Sequence, residues 1–206
     1  MRILVLGGTG YLGRRVMEQV RALPGARLLA GGRTGAEYTV DLAADRPERL
    51  AKTLAAAAPD AVVNCAGATG GDPVTLAEVN ARGPAVLCAA LREAAPAARL
   101  VHLGSAAEYG PGTPCAAVTE SAPACPVTPY GATKLAGTLA VTAAGLDAVV
   151  LRIGNPVGPG APAASLPGRM AALLRGEPAR PDGRAAAGGR LRPRGRAAAR
   201  GPVGLP

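Results

Sequence analysis

Residues Met1-Arg-Ile-Leu-Val-Leu-Gly-Gly-Thr-Gly-Tyr-Leu-Gly13 decide the fold. Ile3 to Leu6 form a short unbroken apolar run, as a parallel strand covered on both faces requires. Gly7, Gly8, Gly10 and Gly13 follow at once. Read from Gly8 they spell G-x-G-x-x-G, and from Gly7 G-x-x-G-x-x-G. Residues without a Cβ let backbone touch a pyrophosphate, and a helix opening near Tyr11 aims its free N–H groups at the phosphates. Gly7, Gly10, Tyr11, Leu12 and Gly13 are therefore the residues expected to meet a dinucleotide here, Gly13 by letting the helix pack close to the strand. A glycine pattern alone is weak evidence. This one has a strand before it and an apolar helix after it.

Leu12, Val16, Val20 and Leu23 continue as a helical stripe, which Pro24-Gly25 stops. Arg27 to Ala30 reads as the second strand. It runs into Gly31-Gly32-Arg33-Thr34, with no carboxylate where NAD-binding sheets hold the ribose hydroxyls. Arg33 suits a 2′-phosphate and favours NADP, while Glu37 keeps NAD open. Tyr38 to Leu42 reads as a third strand, and Asp41 either bonds the adenine amino group or caps a helix. A helix follows from Arg46 to Ala58, then a strand from Ala61 to Asn64. After it, the backbone of Cys65-Ala66-Gly67 passes close to the cofactor. Thr75 to Ala95 reads as a long helix containing Asn80, kinked around Gly83-Pro84. Arg99 to Leu103 is the fifth strand, with His102 read as a core histidine rather than a catalyst. This alternation predicts an α/β fold with a doubly wound parallel sheet.

The 206 residues suffice for one domain with a real core, built without Phe or Trp. No apolar run reaches the roughly eighteen residues of a membrane span. The N-terminus enters a strand directly, without a signal peptide's layout, so a cytoplasmic location is expected. Cys65, Cys88, Cys115 and Cys125 form no C-x-x-C pair, and one histidine cannot complete a zinc site, so no metal is expected. The net charge of +9 is uneven: residues 180–206 hold seven arginines against one aspartate.

The fifth strand leads to Ser105, at the carboxyl end where such sheets bind ligands. Pro129-Tyr-Gly-Ala-Thr-Lys134 follows, inside a helix expected over 128–144. Tyr130 and Lys134 are four apart and share a face. A free tyrosine, with a pKa of about 10, is a poor base at neutral pH. A nearby ammonium stabilises the phenolate. Tyr130 can then exchange a proton with a substrate hydroxyl or ketone while hydride moves to or from nicotinamide. Ser105 would bond the same oxygen, and Lys134 the nicotinamide ribose.

With these residues in view, the chain resembles the extended short-chain dehydrogenase/reductase family, of the NAD-dependent epimerase/dehydratase type. The resemblance covers roughly residues 1–175. It rests on Gly7 to Gly13, Asp41-Leu42, Asn80, Ser105 with Tyr109-Gly110, Tyr130-x-x-x-Lys134, and Leu151-Arg-Ile-Gly-Asn-Pro156 with Gly158-Pro-Gly160. It implies a Rossmann sheet, a catalytic triad of Ser105, Tyr130 and Lys134, and a nucleotide-sugar substrate met by Ser105 and Asn155. It also implies cofactor contacts from Gly7, Gly10, Tyr11, Leu12, Gly13, Arg33, Asp41, Leu42, Ala66, Gly67, Asn80 and Lys134. Family 4,6-dehydratases carry an Asp-Glu pair just after the serine position. Here those positions are Ala106 and Ala107, and Glu108, in a strand-like segment, would face the other way. Ketone reduction or epimerisation is therefore expected rather than dehydration. A homodimer is left open.

Ser165 to Arg175 reads as one more helix. Residues 176–206 are dominated by Arg, Ala, Gly and Pro, lose all periodicity and are expected to be disordered. With no aromatic residue for base stacking, nucleic-acid binding is not expected of them. A solvated tail without a role is one alternative; the bias favours an out-of-frame or truncated end, with the family's substrate-binding lobe largely missing. The alternative to an active enzyme is then a dinucleotide-binding remnant without turnover.

Overall fold

The computed structural model describes residues 1–112, 117–163 and 165–175. The expected tail over 176–206 lies outside the described residues, as does Cys115. The elements in order are β1 (Arg2–Leu6), α1 (Tyr11–Ala22), β2 (Arg27–Gly32), β3 (Tyr38–Thr39), α2 (Pro47–Ala57) and β4 (Ala61–Asn64). Then come α3 (Pro73–Ala77), a π-wound segment (Glu78–Arg82), α4 (Gly83–Ala94), β5 (Arg99–Ser105), a 3-10 turn (Ala106–Glu108), α5 (Pro129–Thr142), β6 (Ala148–Ile153) and α6 (Leu166–Leu174).

The strands form one parallel sheet in the order β3-β2-β1-β4-β5-β6. Chain direction across the sheet reverses between β1 and β4, and the crevice beyond their carboxyl ends is where such sheets bind ligands. Alternation along β1 divides the core. Ile3 and Val5 pack under Val16 and Val20 of α1 on one face. Leu4 and Leu6 join Leu54 of α2, Leu87 and Leu91 of α4 and Val141 of α5 on the other. Helices on both faces make this the doubly wound Rossmann arrangement that the sequence predicts. The face carrying α1 is less covered along the later strands, where Val63, Val101 and Leu103 are half-buried and Leu151 is exposed.

Three of the differences from the sequence reading bear on the cleft and the long helix. Strand β2 runs two residues further, because Gly31 and Gly32 pair with Tyr38 and Thr39. Strand β3 ends at Thr39, before Asp41. The Asp41 carboxylate accepts the Ala43 N–H, and the Asp41 N–H goes to Asp45 Oδ2, so a turn takes the backbone that a longer strand would need. The expected kinked helix is three segments. Pro84 has no N–H for the carbonyl of Asn80 four residues back, and the turn before it is π-wound. Gly137 of α5 settles against that freed carbonyl. A Cβ on it would stand 2.1 Å from Asn80 O.

Candidate active site

The Gly-rich turn is built as its sequence requires. Gly7 has φ +77°, and a Cβ there would lie 2.6 Å from the Ala66 nitrogen. Gly10 N–H closes the turn on Gly7 O at 3.1 Å. At Gly13 a Cβ would fall 2.1 Å from Gly7 O, so this glycine seats α1 on the turn rather than on the strand. No side chain caps the N-terminus of α1 and no acidic residue occupies its first turn. Its leading N–H groups stay open to an anion.

Beside this turn lies a cleft of about 540 Å³. Gly7, Gly10, Arg33, Asp41, Leu42, Ala66 and Gly67, all singled out from sequence, line it; Tyr11, Leu12, Gly13, Asn80 and Lys134 do not. Arg33 is exposed at its rim. Asp41 caps the short 41–45 turn, while Arg46 occupies the N-cap position of α2 without a side-chain capping bond. Met17, Thr75 and Val79 also line the cleft and were not anticipated. They come from helical segments and lie outside the motifs that the sequence reading singles out. Both ends of the Asn80 amide are engaged. Oδ1 accepts from Ala68 N at 2.9 Å, and Nδ2 donates to Ala68 O at 2.8 Å. Asn80 thereby braces the wall formed by Ala66, Gly67 and Ala68.

The catalytic candidates converge at the carboxyl end of β5. Thr128 caps α5 through Gly131 N–H, and Gly131 is pressed on Ala107, where a Cβ would stand 2.5 Å from the carbonyl. This seats the first turn of α5, with half-buried Tyr130, against the turn that follows Ser105. One helical turn on, Lys134 is buried and its Nζ donates to Leu103 O at 2.6 Å. Burial lowers the Lys134 pKa from its ordinary value, and the Glu108 charge opposes that shift. Asn155, expected to meet substrate, is exposed in the loop after β6.

Glu108 corrects a sequence expectation. Ala106–Glu108 is a 3-10 turn rather than a strand-like stretch, and the Glu108 side chain folds back beneath Ser105, wholly buried. Its Oε1 accepts from Ser105 N at 2.7 Å and its Oε2 from Arg152 Nε at 2.8 Å. Arg152 Nη1 also reaches Tyr109 Oη at 3.0 Å. The space for this carboxylate exists because Gly104 has no side chain. Ser-x-x-Glu is a capping-box spacing, the local signal that predicts the fold-back. With both oxygens held from inside, Glu108 is spent on structure.

His102 lies in the core, as expected, with one ring nitrogen satisfied. Asn64 Oδ1 accepts the Ala66 N–H, so its Nδ2 donates to His102 Nδ1 at 3.2 Å. The proton therefore sits on Nε2, which has no partner. Burial, and next the Lys134 charge, push the His102 pKa down to about 3. Among the described residues, no group of three or more His, Cys, Asp or Glu gathers to hold a metal, and no helix is long and apolar enough to cross a membrane.

The sequence model of the NAD dependent epimerase/dehydratase family matches residues 3–181. The chain belongs to this family. It is 39% identical over 185 residues to a dTDP-6-deoxy-L-talose 4-dehydrogenase (NAD(P)(+)) of Kitasatospora kifunensis, covering 84% of this chain and 58% of that protein. It is 35% identical over 156 residues to a dTDP-4-dehydrorhamnose reductase of Mycolicibacterium smegmatis, covering 73% and 44%. Among solved structures it resembles the Bordetella bronchiseptica enzyme WbmG in complex with NAD and UDP, at 25% identity and a TM-score of 0.71 over 86% of this chain and 60% of that one. The chain thus spans between two-fifths and three-fifths of the length of the curated relatives it matches.

Proposed function

We propose that this family member uses a nicotinamide dinucleotide, NADP in preference to NAD, to reduce or epimerise a nucleotide-sugar. The observation that carries the reading is the placement of Lys134. It is buried one turn after Tyr130, with its amine on the carbonyl of Leu103, two residues before Ser105. The open N-terminus of α1 and the Gly7 cradle fit a pyrophosphate, and exposed Arg33 at the cleft rim fits a 2′-phosphate. When bound, the nicotinamide supplies or accepts hydride.

The chain's own residues handle the proton and the position. Ser105 Oγ accepts from Ala107 N at 3.2 Å, which leaves its hydroxyl proton to donate to the substrate oxygen. Tyr130 exchanges a proton with that same oxygen as charge develops on it. Lys134, one helical turn after Tyr130, supplies a positive charge beside the reacting oxygen and a donor for the ribose. Ala106 and Ala107 cannot move a proton, and both Glu108 oxygens are occupied, so this reading excludes 4,6-dehydration. Asn155 lines the sugar-nucleotide side. On this reading residues 1–175 carry the cofactor turn and the Ser105, Tyr130 and Lys134 triad.

NADPH and NADH titrations, followed by assays on dTDP- and UDP-keto-sugars, test the reading. NADPH should bind more tightly, and equal or tighter NADH binding refutes the preference. Tyr130→Phe should lower turnover about 10²–10⁴-fold with cofactor affinity nearly intact. Lys134→Ala should lower both. Full activity in Tyr130→Phe refutes the assignment. A second reading, dinucleotide binding without turnover, is favoured by the cleft lining, which reaches Gly67 and Ala68 but excludes Ser105, Tyr130 and Asn155. Cofactor binding with no turnover on the whole panel would select it.

A further inference from the structure

The π-wound segment Glu78–Arg82 touches two walls of the cleft at once. Residues two apart on a helix face different ways, and here Asn80 and Arg82 reach different loops. Asn80 grips the backbone of Ala68. The Arg82 guanidinium goes to the other wall. Its Nη1 donates to Ala43 O at 2.8 Å and to Leu42 O at 3.3 Å, and its Nη2 donates to Asp45 O at 2.8 Å. Asp41, Leu42 and Ala43 are the cleft-lining residues of that wall. Gly83, next along the chain, brings the helix so near that a Cβ would lie 3.0 Å from Leu42 Cβ.

We infer that Arg82 is a positioning residue for the adenine-side wall of the dinucleotide cleft, holding the 41–45 turn in its binding shape from behind. The inference rests on the reading of the cleft as a dinucleotide site. Apart from the Arg82 fork, the turn is tied to the rest of the fold by the Asp45 carboxylate on Arg49 of α2 and by Leu42 in the core, and its remaining bonds are internal. Ala44 N and Asp45 N both return to Asp41 O, Asp41 Oδ1 takes Ala43 N, and Asp45 Oδ2 takes Asp41 N. All of these close the turn on itself. The carbonyls of Leu42, Ala43 and Asp45 point away from this internal set, and one rigid fork gathers all three. A lysine could not reproduce that planar arrangement. Arg82 reaches the cleft only through the backbone it holds, and it is not among the residues lining the cavity. Because Asn80 and Arg82 share five residues of π winding, the adenine wall and the Ala66–Ala68 wall are referenced to one element, and their separation follows from its geometry.

The test compares the unaltered chain with Arg82→Gln, using calorimetric titration with ADP-ribose and amide hydrogen exchange in the absence of ligand. ADP-ribose affinity should fall about tenfold in Arg82→Gln, the scale of losing well-placed charge-assisted contacts. Exchange should quicken over residues 40–46 and stay unchanged over residues 66–70, which Asn80 holds. Unchanged ADP-ribose affinity overturns the inference and leaves the proposed function standing. Exchange that quickens in both segments, or in neither, also overturns it, since the first marks general loosening and the second a turn that needs no clamp. Failure of the unaltered chain to bind ADP-ribose or NADPH overturns the proposed function, and this inference with it.

Discussion

Replacing Gly137 by alanine sets two effects of opposite sign against each other. In a helix interior, alanine is favoured over glycine by about 1 kcal/mol. At this position, however, the added Cβ would stand 2.1 Å from Asn80 O and 3.1 Å from Pro84 Cγ. The first neighbour is backbone, braced by an adjoining side chain with both amide ends bonded, so it cannot swing aside as a flexible side chain would. Restoring ordinary contact requires α5 and the π-wound segment to separate by about 1 Å, and overpacking of this kind costs about 1–3 kcal/mol. The difference leaves a net loss of about 0–2 kcal/mol. If the proposed function holds, the larger consequence is for turnover. Tyr130 and Lys134 ride on α5, while Asn80 and Arg82 stay with the other element. A misplacement of about 1 Å can lower turnover about 10²-fold. Urea unfolding and steady-state assays check both effects, with Gly154→Ala as control, because a Cβ there meets nothing within 4 Å. A Gly137→Ala protein as stable and as active as its parent would show that this contact does not set the geometry of the site.

Two further predictions concern buried charge. His102 has its pKa pushed down to about 3 in the fold, against 6.5 ordinarily. Between those values the unfolded chain binds a proton that the folded chain does not, so stability falls as pH drops below 6.5. The slope is about 1.4 kcal/mol per pH unit for this group. His102→Gln should therefore lose stability less steeply than its parent between pH 6.5 and 4.5, and parallel curves in urea titrations would contradict this. Arg152→Ala leaves the buried Glu108 carboxylate without its cation, a change that typically costs about 3–5 kcal/mol. A loss below about 1 kcal/mol on unfolding would mean that the pair does not hold the turn after Ser105.

Much of the architecture was legible because parallel strands and amphipathic helices write themselves as apolar runs and stripes. Strand β4 occupies the residues expected, and Ser105 closes the fifth strand. The harder parts are those where a polar side chain captures backbone. Asp41 and Asp45 end β3 early, and no apolar pattern marks that. Glu108 was read on a strand, whereas Ser105-Ala-Ala-Glu108 is a capping box whose acid turns inward to meet Arg152 from a distant strand. The Gly83-Pro84 pair announced a disturbance in the long helix. That the disturbance is a π turn, and that its freed carbonyl receives Gly137, depends on α5 arriving more than fifty residues later in the chain. Met17, Thr75 and Val79 enter the cleft for a similar reason, since helical periodicity does not say which residues end up beside a crevice.

The strand order also bears on how the chain is made. Strand β1 is made before the other strands of this sheet, and its apolar run gains a neighbour on one side once β2 follows. Its other edge has no partner until β4 appears, after α1, β2, β3 and α2 have all been synthesised. During that interval the nascent chain presents an open, apolar parallel edge at Ile3 to Leu6, the kind of surface that recruits other chains. From β4 onward the exposure is repeatedly passed outward, with β5 covering β4 and β6 covering β5. Slow translation ahead of residue 61 would lengthen the vulnerable stage, whereas slow translation after residue 64 leaves the central strand already enclosed.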